Sequence, residues 1–293
     1  MARRSNPLTT ILLNRLRQLD ELKYQSFLHQ FTTDKTLSAY RDALEGSDIV
    51  KQPKPSLTFG LSSRLCVEVL VGKSRSVYPV YGYGAGDEQH MAVVKEVDQR
   101  VQAQLLALAF ESMESFFRDF MGKLYFLTRS SCEGGPILLA HRRSEFRKSR
   151  EGKKRLEMGT PQYFEQYSEW YSRQNCDDLL RDLRKACARF DITGAKNSSK
   201  TNLFDFYRTL SVCRNLTVHA SGAVSDTSLR RLPPEWANLL RTRVIRRSHI
   251  SKKDTILPNE PFVRWAIERA ASFMHMAYSI VSDELRLEIG PNL

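Results

Sequence analysis

The chain has 293 residues, 41% of them hydrophobic and 10% aromatic, enough to bury a core and to exclude a wholly disordered protein. Glycine (14) and proline (11) are sparse, which favours long helices over a turn-rich β-sandwich. The net charge is +12, but residues 141–155 hold eight Lys/Arg against two acids and residues 230–253 hold eight against one, so the rest sums to about −1.

A positive excess confined to two short segments points to a polyanionic partner more than to general solubility, although two solvated basic loops have the same composition. Of these cations, those expected to contact such a partner are Arg142, Arg143, Arg147, Lys148, Lys153, Lys154 and Arg155 in the first segment, and Arg241, Arg243, Arg246 and Arg247 in the second. Cys66, Cys132, Cys176, Cys187 and Cys213 are scattered with no C-x-x-C pair, which argues against a disulfide framework or a zinc site and for a reducing compartment. With no apolar run of eighteen residues and no signal-peptide core, the expectation is a cytoplasmic chain with no membrane partner.

In chain order, Leu12, Leu16, Leu19, Leu22, Phe27 and Phe31 recur at helical spacing over 7–31. Asp34 reads as the N-cap of a second short helix to about Leu44. Residues 51–55 read as a linker, and LCVEVLVG (65–72) with YPVYGYGAG (78–86) as a small two-stranded ribbon and loop. Gly82, Gly84 and Gly86 lack the lysine-serine/threonine pair of a phosphate loop.

The longest helical signal runs from about Val94 to Leu127, with Val97, Val101, Leu105, Leu108, Met113, Phe116, Phe120 and Leu124 as its apolar stripe. Glu111, Glu114, Arg118 and Asp119 on this helix read as a solvated face. Thr160-Pro161 restarts helix towards Phe190, and a further helix spans roughly 201–220 with Leu203, Phe206, Leu210 and Cys213 inward and Ser221-Gly222 at its end. A short helix is expected around Trp236–Val244, and Asn259-Glu260-Pro261 opens the last helix.

The expected fold is therefore mainly α. An N-terminal helical extension with the ribbon (1–93) precedes an antiparallel four-helix bundle (94–293) with basic insertions at 129–158 and 223–256.

Arg214-Asn215-Leu216-Thr217-Val218-His219 closes the helix of 201–220. Five residues correspond to about 140° and about 7.5 Å, so Arg214 and His219 border one groove without facing each other. Asn215, four before His219, shares its face and is placed to fix the ring. A histidine exchanges protons near neutral pH, and an arginine offers a charged fork to phosphate oxygens. Such a pair suits RNA cleavage without a metal or cofactor, yielding a 2′,3′-cyclic phosphate and a 5′-hydroxyl. An ordinary polar helix end has the same composition.

RNLTVH resembles the R-N-x-x-x-H motif of HEPN domains (higher eukaryotes and prokaryotes nucleotide-binding), and the helices over 94–287 are similar in arrangement. The resemblance implies a metal-independent endoribonuclease of toxin–antitoxin or anti-phage systems. It also implies a homodimer whose two motif helices form one cleft, with Arg214 and His219 catalytic, Asn215 beside them, and an antitoxin or regulatory partner. Family toxins paired with a nucleotidyltransferase carry a tyrosine two residues after the histidine. Ser221 stands there, so that kind of partner is not implied. The alternative is a non-catalytic HEPN-type module that binds nucleic acid or protein.

Overall fold

The structure is a computed structural model, describing residues 5–45, 66–71, 74–79, 87–128, 146, 160–174, 176–198 and 200–288. Among these the elements run α1 (Thr9–Glu45), β1 (Cys66–Val71), β2 (Ser74–Pro79), α2 (Asp87–Thr128), α3 (Pro161–Gln174), α4 (Cys176–Ala186), α5 (Ala188–Ala195), α6 (Leu203–His219), α7 (Asp226–Leu229), α8 (Pro234–Arg243), β3 (Ile245–Arg247), β4 (Asp254–Ile256) and α9 (Glu260–Glu284). The fold is mainly helical, and no helix among the described residues is long and apolar enough to cross a membrane.

The 42-residue α2 is the central element: α1, α3, α6 and α9 all pack against it. Its inward residues Phe110, Phe116, Phe117 and Phe120 are fully buried. Ring pairs fix its partners: Phe110 meets Tyr207 of α6 at 5.1 Å, and Phe117 meets Phe273 of α9 at 4.9 Å. Each such pair contributes about 0.5–1.5 kcal/mol beyond area burial.

Several expectations need correction. Residues 9–45 form one helix rather than two. Asp34 does not cap a new one, because it accepts from Gln30 Nε2 (2.9 Å) one turn back along an unbroken helix. From about its middle onwards, α1 turns Ser26 and Leu37 inward rather than the expected stripe. Leu8, Leu12 and Leu19 are buried in the common core, whereas Phe27 and Phe31 are half exposed. On α2, which starts seven residues earlier than expected, Val97 and Leu108 are exposed (41% and 46%). Among the described residues α1 takes the side carrying Asp98, Gln102 and Asp119, which leaves Val97 and Leu108 on another side. The boundary at 93/94 falls inside this helix.

The ribbon is present as an antiparallel pair, Cys66↔Pro79 to Val71↔Ser74, so its second strand ends where the tyrosine-rich strand was expected to begin. The linker at 51–55 and the glycines at 82, 84 and 86 lie outside the described residues, as does the basic segment 129–158 apart from Phe146. Phe146 is buried against Tyr163, Tyr167 and Trp170.

The second basic segment is built rather than looped. It comprises α7, α8 and the β3–β4 hairpin, paired Ile245↔Ile256 to Arg247↔Asp254. Ala223 bridges Thr255, and Ile256 N–H donates to Gly222 O (2.8 Å), so the hairpin is joined to the chain leaving α6. Its tip is held from the other side by Glu96 of α2, a side chain 1% exposed. One Glu96 oxygen accepts from Ser248 Oγ (2.7 Å) and Arg100, the other from the backbone N–H groups of His249 and Ile250.

Candidate functional site

The helix α6 starts at an Asn202 cap, whose side chain accepts from Phe204 N–H and Asp205 N–H. It ends in a wide turn, with Gly222 N–H donating to Leu216 O, six residues back, at 2.8 Å while Ser221 and Gly222 take φ of 51° and 82°. A Cβ on Gly222 would stand 2.9 Å from Thr255 Cγ2, so the tight exit that lets the hairpin approach requires glycine. Arg214, Asn215 and His219 occupy the last two turns before this exit.

Tyr207 and Arg214, two turns apart, share the face of α6 that meets α2, so the contact of Tyr207 with Phe110 brings Arg214 opposite Glu111. Both Nε and Nη2 of Arg214 reach Glu111 Oε1 at 3.2 Å. Nη1 donates to Asn215 Oδ1 at 3.0 Å and lies 3.4 Å from His219 Nε2. A guanidinium carries no acceptor, so a hydrogen bond across this contact requires Nε2 to be the accepting nitrogen.

The three motif residues are therefore brought together, with two departures from expectation. Arg214 and His219 touch, because the arginine side chain is long enough to span the 140° between their positions. Asn215 bonds the guanidinium rather than the imidazole. Glu111, expected on a solvated face, is the residue that sequence reasoning missed. Of the acids on that helix, Asp119 pairs with Arg15 of α1 at 2.7 Å, and only packing separates the two roles.

Arg214 is half-buried (27%), and Asn215 and His219 are exposed, so a ligand can reach the pair. Next to it, the Cys213 thiol is buried and pushed up to about 12 by that burial, which makes it a core residue rather than a nucleophile. Burial likewise pushes the Glu114 carboxyl above the usual range, although Arg214 and Arg118 pull it back. Among the described residues no group of three or more His, Cys, Asp or Glu is placed to hold a metal ion.

Comparison with protein-family models, curated proteins and solved structures found no match to this chain.

Of the basic residues expected to contact RNA, Arg142, Arg143, Arg147, Lys148, Lys153, Lys154 and Arg155 lie outside the described residues. Arg241, Arg243, Arg246 and Arg247 are exposed around α8 and the hairpin. Three of them, with Asp226 and Asp254, line a cleft of about 290 Å³. They are not equally free. Arg246 donates to the carbonyls of Thr242 (2.9 Å) and Ile245 (2.8 Å) and so caps α8, while Arg241 and Arg247 make exposed pairs with Asp226 (3.6 Å) and Asp254 (3.9 Å). Exposed pairs of this kind contribute about 0–1 kcal/mol and yield readily to a phosphate.

Proposed function

We propose that the chain is a metal-independent endoribonuclease of HEPN type, with Arg214 and His219 as the catalytic pair and Asn215 beside them. The observation that carries this reading is the contact itself: an accessible, permanently charged guanidinium 3.4 Å from an imidazole nitrogen. A phosphate entering the site competes for the Arg214 donors, which leaves Nε2 of His219 free to act on protons.

The 2′-oxygen attacks phosphorus and loses its proton to one imidazole. The P–O5′ bond breaks and the 5′-oxygen takes up a proton, while Arg214 holds the charge that builds on the phosphoryl oxygens. In a homodimer with the two α6 ends facing, one His219 serves as base and the other as acid. The exposed Val218, next to His219, and the exposed Leu108, one turn before Glu111 on α2, would give such a pairing apolar surface. The hairpin joined to the exit of α6 would draw RNA in by phosphate attraction.

A toxin or anti-phage setting with an antitoxin-like regulator fits this activity, and the cytoplasm is where it would act. The test is cleavage of RNA by the purified chain with chelator present, compared with R214A and H219A.

The second reading, a non-catalytic nucleic-acid-binding module, takes its support from the ion pair of Arg214 with Glu111, which already occupies the arginine. RNA binding with a steep salt dependence and no cleavage would favour it.

A further inference from the structure

We infer that Glu111 is a positioning residue that aims the guanidinium of Arg214 at the reacting phosphate. The inference rests on the nuclease reading and adds a residue from outside the motif helix.

An arginine has two edges on which it can grip an oxyanion: the side edge of Nε and Nη2, and the end edge of Nη1 and Nη2. Glu111 Oε1 takes the side edge, 3.2 Å from each nitrogen. That leaves the end edge turned away from α2, with Nη1 lying between Asn215 Oδ1 and His219 Nε2. A phosphate received on this end edge is therefore placed beside the imidazole. Without Glu111, the four-bond side chain of Arg214 has nothing on α2 at that edge to fix its plane, and the guanidinium can meet the phosphate without bringing it to His219. Glu114, one turn further along, also lies near Arg214, and burial disfavours its charged form. Glu111 is the one that makes the contacts.

The grip is not needed for folding. Both partners are partly exposed, at 27% and 42%, and half-exposed ion pairs of this kind add little stability. Glu111 can therefore be removed from an intact protein.

The experiment measures RNA cleavage by wild type, E111A, E111Q and R214A. In parallel, the Arg214 Nε–H signal is followed by ¹⁵N NMR, assigned by its loss in R214A. We expect E111A to lower kcat by about ten- to a hundredfold with KM within about twofold, because misplacing a reacting group acts on the transition state more than on binding. E111Q, which keeps one acceptor oxygen, falls between. The Arg214 Nε–H signal should be protected from exchange in wild type and E111Q and lost in E111A. Cleavage by E111A equal to or above wild type, with R214A inactive, overturns the inference. If the wild type cuts no RNA the nuclease reading fails, and the NMR arm still decides the grip: an unprotected Arg214 Nε–H in the wild type overturns it.

Discussion

Nη1 of Arg214 stands 3.4 Å from Nε2 of His219 and 3.0 Å from Oδ1 of Asn215, while Nε and Nη2 of the same side chain hold Glu111. One planar group thus meets three partners in three directions. A lysine in its place has one nitrogen and cannot reproduce the fork. R214K should therefore lose RNA cleavage nearly as fully as R214A, by about 10²-fold or more, although charge is kept. Thermal stability should change by less than about 1 kcal/mol, as expected for a half-exposed pair. Substantial activity in R214K would mean that charge alone, without geometry, suffices.

The buried carboxylate of Glu96 gives a pH-dependent anchor for the basic hairpin. Burial alone raises its pKa, but the Ser248 hydroxyl, Arg100 and the backbone N–H groups of His249 and Ile250 more than offset this and hold it below the ordinary value. A carboxyl lowered on folding contributes stability that is present above the unfolded value, about 4.3, and is lost as pH falls through the folded one. Protection of the His249 and Ile250 amides against hydrogen exchange should accordingly persist at neutral pH and fade in acid below about pH 4. E96Q should remove it already at pH 7, at a cost of about 1.5–3 kcal/mol for the lost charge-assisted bonds. Unchanged protection in E96Q would show that the hairpin is held by its strand pairing alone.

Phosphate attraction by the hairpin should appear in the salt dependence of RNA affinity. Arg243 and Arg247 are exposed cations whose removal leaves the α8 cap made by Arg246 intact. The double variant R243A/R247A should bind single-stranded RNA more weakly and lower the slope of log affinity against log salt by about 1.4, at about 0.7 per phosphate contact. A slope equal to wild type would assign the binding to other residues.

The helices that carry the site were legible because their punctuation is local. Thr160-Pro161, Asn259-Glu260-Pro261 and Ser221-Gly222 mark ends that the structure keeps, and Leu203, Phe206, Leu210 and Cys213 are all buried as their spacing predicts. What depends on a second element was not legible. Glu111 and Asp119 look alike on one helix, and only the Phe110–Tyr207 contact decides which meets Arg214. The β3 and β4 strands have three residues each, with arginines among them, too short and too polar for an alternating signal, and they exist because the exit of α6 and Glu96 hold them. The exposure of Val97, Leu108 and Phe31 likewise reflects which side of each helix its described neighbours take, which periodicity does not encode.

Metal-free cleavage of RNA by Arg214 and His219 would leave its mark on the product ends. Purified protein is incubated with single-stranded RNA in excess chelator, and the fragments are analysed for their termini. The fragments should carry 2′,3′-cyclic phosphate and 5′-hydroxyl ends, formed at least about 10²-fold more slowly by folded H219A. Cleavage that survives in H219A, or that the chelator abolishes in the wild type, would contradict that mechanism.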